Sequence, residues 1–440
     1  MFLFNRKKNY GSGSVQSTFD IIKNKIETYK EKGIVVSVQE NPMAICILTP
    51  VMKRVHNYEF AAETVFVDST ASCDESGASI TFFIAGSMIG GIPLGCVIHN
   101  GQSEEDYWHA FNAISSFGGK GAPNVFMTDD STPERKDLSE FFDSSRLLLC
   151  TFLVCQAVWR WLWDKKHDIE QLNRKSLMLI VRQILCETDI TNCNELIDVA
   201  LKDDLIIKYP QFKSYFEAII ERKSEWCIAY RQNCLTRGRN TNNLVEASIR
   251  VFKDVVLKRC RAFNPVALAE FVINVLETHH QKRIQKFASF RVSKPELEFK
   301  KFCTKANDLI VKKISYNLFH VSSAENENIV YGVHSELNLC ECPTGIGGAF
   351  CKHLCAVHIQ YGTQISTSPA LSFEDRIIFA KIALGNDIDE TFFQNMSAVE
   401  VTSNNKAGIS AEVTDFLVPM MQNKEIENET VSTLINYYFL

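Results

Sequence analysis

The chain of 440 residues lacks a strong excess of charge of either sign. It contains 47 Lys and Arg and 52 Asp and Glu residues, which give a formal net charge of −5. Any contact with nucleic acid must therefore come from a local basic patch and not from a basic surface overall. The most basic extended stretch is 282–313, where Lys and Arg outnumber Asp and Glu ten to three. Such a run is typical of a solvated face or of a phosphate-contact surface, and both interpretations stay open.

The sequence also lacks an apolar run suited to secretion or to a membrane span. At the N-terminus, Arg6, Lys7 and Lys8 follow too few apolar residues for a secretory signal, so we expect a reducing compartment. The stretch 79–98 is almost free of charge and has the length of a spanning helix. Four glycines and a proline interrupt it. We therefore expect two buried strands joined by a glycine-rich turn in this stretch.

The composition is that of a folded chain with a large core. Hydrophobic residues make up 46% and charged residues 22%, which argues against global disorder. The length suggests about three domains. Along the chain we expect a helix and hairpin at 1–60, an α/β domain at 61–290 with a helical insertion at about 155–235, a small zinc-binding module at 310–362, and a helical or linker region at 363–440.

The pattern after residue 60 predicts an α/β domain with a mixed sheet. Apolar runs predict three strands, a helix, a strand, a helix and a strand, at 64–70, 79–85, 92–99, 103–117, 124–129, 133–142 and 146–150. This order of elements is that of a ribonuclease H-like core. Aromatic-rich helices are expected from 155 to 230, followed by a polar loop at 236–242 and another helix that ends near Arg259.

The densest chemical signal is a cluster of cysteine and histidine. Cys340 and Cys342 flank one residue, Cys351 and His353 flank another, and a glycine-rich turn separates the two pairs. Four such ligands suit tetrahedral Zn²⁺, and a site with all four positions filled is structural. Cys355 and His358 stand on the following helix as competing ligands.

Three acids in distant parts of the chain form a second candidate site. Asp68 and Asp129 each end a predicted strand, and Glu246 lies in the first turns of a later helix that Thr241 or Asn242 could cap. A single acid at a strand end is more typical of a turn or a cap. Three converging carboxylates would repel one another and raise their pKa values unless cations compensate. Two Mg²⁺ or Mn²⁺ ions there could activate a water or a 3′-hydroxyl and stabilise the leaving oxygen of a phosphodiester.

Both candidate sites resemble those of known families. The Cys-x-Cys and Cys-x-His spacing between Tyr331 and Tyr361 resembles the SWIM zinc finger, which is associated with DNA binding or protein contacts. The stretch 65–287 resembles the transposase domain of Mutator-like elements (MULE). The blocks that carry this resemblance are 66–70 with Asp68, 126–130 with Asp129, Leu149-Cys150 with 156–162, and 240–246 with Glu246.

The MULE resemblance implies a ribonuclease H-like fold and Mg²⁺-dependent cleavage and transfer of DNA strands by Asp68, Asp129 and Glu246. The sequence departs from the family in two ways. Thr151, Phe152 and Leu153 follow Cys150 where the family usually has a histidine shortly after the cysteine, and no DNA-binding zinc finger is found near the N-terminus.

We therefore expect a DNA transposase or a protein derived from one, which acts in the nucleus on transposon ends or regulatory DNA. The fold allows a homo-oligomer, and no membrane partner is expected. One alternative is a catalytically silent DNA-binding or regulatory protein that uses the zinc finger. Another is a protein-interaction factor in which the zinc module alone carries binding.

Overall fold

The computed structural model describes residues 15–115, 122–232, 234–289, 294–325, 329–335, 337–346, 348–363 and 372–394. The polar linker expected at 395–408 and the final helix expected at 431–439 lie outside the described residues.

A seven-stranded mixed sheet forms the centre of the α/β part. Its strands are β1 (Val35–Gln39), β2 (Ala44–Leu48), β3 (Thr64–Thr70), β4 (Ser79–Ser87), β5 (Gly90–His99), β6 (Val125–Thr128) and β7 (Arg146–Leu149). The order across the sheet is β1-β2-β5-β4-β3-β6-β7. The first five are antiparallel neighbours, whereas β6 is parallel to β3 and β7 is parallel to β6. The expected mixed α/β sheet is confirmed.

The uncharged stretch 79–98 forms the two buried strands predicted for it, β4 and β5. They pair as an antiparallel hairpin. The second strand begins at Gly90, whose φ of 94° favours glycine. At Gly91, an added Cβ would lie 2.7 Å from Ile84 Cγ2, so the close strand contact requires glycine there. Among the described residues, no helix combines the length and apolarity needed to cross a membrane.

Helices cover both faces of the sheet. The first five are α1 (Val15–Glu31), α2 (Pro50–Val55), α3 (Phe60–Glu63), α4 (Glu104–Ser115) and α5 (Thr132–Phe141). Since side chains alternate along a strand, Phe66 faces one apolar cluster, whereas Val65 and Val67 face another. Leu138 of α5 belongs to the second cluster, so α5 packs on the face opposite Phe66.

A run of helices follows β7, in the stretch where aromatic-rich helices were expected. Its helices are α6 (Thr151–Trp163), α7 (Gln171–Cys186), α8 (Ile190–Leu201), α9 (Asp204–Lys208), α10 (Pro210–Glu221) and α11 (Lys223–Trp226), with 3₁₀ turns at Lys165–His167 and Ile228–Arg231. These helices share an apolar cluster that includes Phe212, Phe216 and Trp226. The aromatic residues of this stretch therefore pack a core, as expected.

Long helices return the chain to the sheet. They are α12 (Asn243–Val251) with a π-helical continuation at Phe252–Val256, α13 (Pro265–Glu270) with a second one at Phe271–Leu276, and α14 (Glu277–Ser289). The helix that contains Glu246 ends at Val256, a little before the predicted end near Arg259. Val245 and Ile249 of α12 pack in the same cluster as Phe66, so α12 covers the face opposite α5.

A smaller sheet follows. The remaining elements are α15 (Lys294–Ala306), β8 (Val311–Lys313), β9 (Leu318–Ser322), β10 (Val330–His334), β11 (Leu339–Cys340), α16 (Lys352–Tyr361), α17 (Phe373–Leu384) and α18 (Thr391–Gln394). The strands are ordered β11-β10-β9-β8, and Phe319, Val321 and Val333 pack with Leu354 of α16. The sequence pattern predicted strands at 329–333 and 337–339, which overlap β10 and the first residue of β11, but it did not predict α15, β8 or β9.

Candidate metal centres

The predicted cysteine and histidine ligands meet between β11 and α16. Their ligand atoms lie within 4.8 Å of one another, and all four residues are buried: Cys340, Cys342, Cys351 and His353. His353 Nδ1 is 3.7 Å from Cys340 Sγ and 3.9 Å from Cys351 Sγ. Ligands bound to a tetrahedral zinc ion at about 2.0–2.3 Å are about 3.5–3.8 Å from one another. This buried Cys₃His group could therefore bind a zinc ion.

Backbone N–H groups point at the sulfurs of this group. Gly345 N donates to Cys342 Sγ at 3.2 Å, and Leu354 N donates to Cys351 Sγ at 3.5 Å. The pKa of the Cys342 thiol is lowered, chiefly because Cys340 and then Cys351 donate hydrogen bonds to its sulfur. An added Cβ at Gly345 would lie 2.5 Å from Cys340 Cβ, so this tight turn requires glycine. The N–H groups of Gly345 and Leu354 each stabilise the thiolate form that a zinc ion needs, at Cys342 and at Cys351.

The structure separates these ligands from their two competitors. Cys355 Sγ donates to Cys303 Sγ at 3.8 Å, which turns it toward helix α15. The ring of His358 contacts the backbone carbonyl of Thr363, with 2.6 Å between Nδ1 and the oxygen. The alternative ligands that the sequence left open are therefore engaged elsewhere.

The two aspartates of the acidic site lie side by side because β3 and β6 are parallel neighbours. Phe66 is paired with Met127, so Asp68 comes level with Asp129 two residues further along. Adjacent strands are about 4.8 Å apart. Phe66 and Met127 share one apolar cluster, and the two-residue period places Asp68 and Asp129 on that same face.

Helix α12 brings the third acid to the same place. Glu246 lies in its first turn, and α12 packs on the face of the sheet that Asp68 and Asp129 share. The charge of Glu246 raises the pKa of Asp68, and the charge of Asp129 raises the pKa of Glu246. Asp68, Asp129 and Glu246 therefore lie close enough for their charges to interact.

Asn242 fixes the start of α12 against this site. It occupies the N-cap position, as one of the two predicted cap residues, but its side chain makes no cap hydrogen bond. Its Nδ2 instead donates to Asp129 Oδ1 at 2.7 Å, and its backbone N–H donates to Cys150 Sγ at 3.3 Å. The Oδ1 atom of Asn242 is buried without a partner among the described residues.

The neighbouring Asp130 is held away from the site. Two nitrogens of Arg222, at the end of α10, donate to its carboxylate at 3.1 Å and 2.7 Å. Arg222 also contacts Glu225, which in turn pairs with Arg135. Asp130 thus belongs to an ion-pair network that ties the helical insertion to the sheet, whereas Asp129 faces Asp68.

A fourth acid, Glu134, lies beside these three and was not predicted. It is 3% exposed, and Ser69 Oγ donates to its Oε2 at 3.3 Å. Burial, followed by the charges of Asp68 and Asp129, raises the pKa of Glu134 to about 8. The sequence pattern Ser131-x-x-Glu134 is typical of a helix capping box, which concealed this role.

Burial and mutual repulsion act on the whole set. Burial, followed by the charge of Asp129, raises the pKa of Asp68 to about 7. Burial also raises the pKa of Asp129, against the opposing hydrogen bond from Asn242. Among the described residues, the Cys₃His group is the one set whose ligand atoms all lie within 4.8 Å of one another. The acids are therefore spread more widely than a compact cage for one ion.

These raised pKa values predict how stability depends on pH. In the folded chain Asp68 and Glu134 keep their protons to about pH 7 and about pH 8, whereas in the unfolded chain they release them near pH 4. The folded state binds more protons in this window, so stability is highest below it and falls as pH rises through it. We expect the melting temperature of zinc-loaded protein without added Mg²⁺ to fall by several degrees from about pH 5 to about pH 9. Differential scanning fluorimetry measures this, and the slope should be smaller in Asp68→Asn; an equal slope would contradict the assignment.

In comparisons with known proteins, no family model matches the chain, and no curated protein matches it. The residues of the two candidate metal centres are therefore the basis for inferring a function.

Proposed function

We propose that the chain is a DNA transposase, or a protein derived from one, that cleaves and transfers DNA strands at Asp68, Asp129 and Glu246. The observation that carries this proposal is that three acids converge on one face of the large sheet, near the ends of β3 and β6. The first and the last of them, Asp68 and Glu246, are more than a hundred residues apart in sequence. The order of strands and helices, with a helical insertion before the third acid, supports a ribonuclease H-like fold of the MULE transposase type.

The residues at this site fit a pair of divalent cations. After burial, the charges of neighbouring acids raise the pKa values of Asp68, Glu134 and Glu246. In the part of the chain that the structure describes, Glu134 Oε1 and Asn242 Oδ1 are buried oxygens without partners. Oxygen ligands of this kind are those that Mg²⁺ and Mn²⁺ prefer. A pair of ions about 3.5–4 Å apart spans a wider set of ligands than one ion does, in keeping with the spread of the acids. When bound, such ions supply Lewis-acid activation of the attacking and leaving oxygens.

The chain's own residues would orient this site. Asp68 and Asp129 are fixed by the two strand ends, and Asn242 holds one oxygen of Asp129 so that the other stays available. The backbone N–H of Ser69 donates to Asp68 Oδ1 at 2.7 Å. Lys253 acts on Asp68 and Arg250 on Glu246 from the same helical segment, and the charge of each partly opposes the rise in the pKa of its acid. These two cations partly offset the repulsion and would attract a phosphate group.

The Cys₃His group supports a second part of the proposal, a SWIM-type zinc finger that contacts DNA. Exposed lysines of α15 and β8 precede it in the chain: Lys300, Lys301, Lys305, Lys312 and Lys313. Tyr316, in the turn after β8, is 84% exposed and lies under Lys313, with 5.7 Å between Nζ and the ring centre. Basic side chains interleaved with an exposed aromatic ring suit a nucleic-acid contact. A protein with these parts would act in the nucleus.

A catalytically silent regulator of DNA is the second candidate, favoured by Leu153. In the MULE family a histidine usually stands shortly after the cysteine that resembles Cys150. In this chain Leu153 lines an apolar pocket between α6 and α10 together with Tyr215 and Arg222. No histidine is among the residues that line this pocket.

Incubation with DNA tests the proposal directly. Zinc-loaded protein is mixed with Mg²⁺ and duplexes taken from the inverted repeats that flank its coding region. Strand cleavage at the repeat ends, seen on denaturing gels, is the expected result. DNA binding without cleavage on every candidate repeat would favour the silent regulator, and neither binding nor cleavage would reject both.

A further inference from the structure

We propose that Glu134 supplies a fourth carboxylate to the cation site of Asp68, Asp129 and Glu246. This inference rests on the proposed function and adds a residue to the same site. The class of ligand is a hard divalent cation, because the four acids offer carboxylate oxygens, which such cations prefer. The other three acids were predicted from the sequence, whereas Glu134 is identified by its contacts in the structure.

The position of Glu134 at the acidic site follows from the crossover after β6. Asp129 follows β6, and Glu134 is the third residue of α5, so the start of this helix lies at the strand end that carries Asp129. Leu138 of α5 packs with Val65 and Val67, on the face of β3 opposite α12. Four carboxylates therefore approach the ends of β3 and β6 from both faces of the sheet. The charges of Asp68 and Asp129 both act on Glu134.

One oxygen of Glu134 is held and the other is free. Ser69 Oγ donates to Oε2, and the hydroxyl of Ser69 is 2.7 Å from Thr81 Oγ1. Thr81 Oγ1 is in turn 2.7 Å from Nε2 of His99. This chain of buried polar groups fixes the orientation of the carboxyl group. Oε1 is buried and has no partner among the described residues.

Two structural explanations for this acid, a capping box and an ion pair with Arg135, are not supported by its contacts. Ser131, at the N-cap of α5, makes no side-chain cap hydrogen bond, so Ser131 and Glu134 do not form the capping box that their spacing suggests. The adjacent Arg135 donates to Thr128 Oγ1 at 2.6 Å and to Glu225 Oε2 at 2.5 Å instead of pairing with Glu134. A buried carboxyl oxygen without a partner costs free energy. A bound cation would remove that cost.

Direct measurement of Mn²⁺ binding tests the proposal without depending on DNA cleavage. Zinc-loaded wild-type protein is titrated with Mn²⁺, and the free ion is quantified by electron paramagnetic resonance. In Glu134→Gln the side chain keeps its shape and can still contact Ser69, but it loses the charge. We expect the affinity for Mn²⁺ to fall by about tenfold or more, as for loss of a supporting carboxylate at a metal site.

Asp130→Asn is the matched control. This substitution removes an acid that also follows β6 but is paired with Arg222. Since that ion pair is half-exposed, Mn²⁺ affinity should change by less than about twofold. Thermal melts confirm that each variant is folded. If Glu134→Gln does not fold, Glu134→Asp replaces it, because shortening the side chain by one methylene withdraws the carboxylate and should weaken Mn²⁺ binding as well.

The outcomes separate this inference from the proposed function. No Mn²⁺ binding by the wild-type protein would reject the cation site as a whole. Mn²⁺ binding by the wild type with equal affinity in the Glu134 variants would reject the role of Glu134 alone. Weaker binding in the Glu134 variants and unchanged binding in Asp130→Asn would support it.

Discussion

Asp68→Asn and Asp129→Asn are each expected to lower Mg²⁺-dependent DNA cleavage by a factor on the order of 10³ or more. Each substitution removes one of the two carboxylates that the paired strands β3 and β6 place side by side. Neither should unfold the chain, because Asp129 lies just beyond β6, and at Asp68 the neutral amide avoids both the cost of burying a charge and the repulsion from Asp129 that raise the pKa of this acid. Cleavage rates on end-labelled duplexes, with circular dichroism as the folding check, measure the effect.

Asp130→Asn provides a matched control for this prediction as well. Asp130 differs from Asp129 by one position and has the same chemistry, yet its carboxylate is bound by Arg222 and not directed at Asp68. Its loss should weaken the contact between the helical insertion and the sheet and leave the cleavage rate within about threefold, as expected for an exposed ion pair. If Asp130→Asn lost as much activity as Asp129→Asn, the assignment of the second acid would be wrong.

The sequence predicted the acids but not how they meet. β3 and β6 were recognisable because a short apolar run ended in an acid in each case, and local pattern suffices for that. The register that sets Asp68 level with Asp129 depends on a parallel pairing across more than fifty residues, which no local pattern encodes. Resemblance to a family, and not spacing, pointed to Glu246.

The residues that the sequence missed had local patterns typical of something else. Glu134 stands in a capping-box pattern, and only the packing of α5 shows that its side chain turns to Ser69. The strand Val311–Lys313 is three residues long and ends in two lysines, so its composition is typical of a charged surface. Its place in the small sheet is set by pairing with β9, for example between Val311 and Val321. In both cases tertiary contacts override the local preference.

The zinc ligands were predicted more fully because they lie within fourteen residues of one another. Ligand type and spacing alone selected Cys340, Cys342, Cys351 and His353, and the structure places their ligand atoms within 4.8 Å of one another. The direction of α16 could not be inferred from spacing. It is this helix that turns Cys355 toward Cys303 and His358 toward Thr363.

Cys340→Ser is expected to abolish zinc binding, whereas the wild-type chain should hold one zinc ion at the Cys₃His group. A hydroxyl cannot replace a thiolate ligand, and the metal's binding free energy, about 10–16 kcal/mol in zinc-finger peptides, is largely folding free energy. We therefore expect 310–362 to become sensitive to protease. Zinc content by mass spectrometry of purified protein, together with limited proteolysis, measures both effects.

Loss of the zinc ion should also destabilise the part of the chain around the acidic site. At Gly348, an added Cβ would lie 2.8 Å from Arg237 Nη1, so the zinc-binding turn packs against the loop that leads to α12. Arg237 is paired with Glu63, the residue before β3, through Nε at 2.9 Å. Cys340→Ser should therefore lower the melting temperature of the α/β part as well.

Cys355→Ser is the matched control, because the sulfur of Cys355 faces Cys303. This variant should keep its zinc and its protease resistance. Full zinc content in Cys340→Ser, or loss of zinc in Cys355→Ser, would require a different set of ligands.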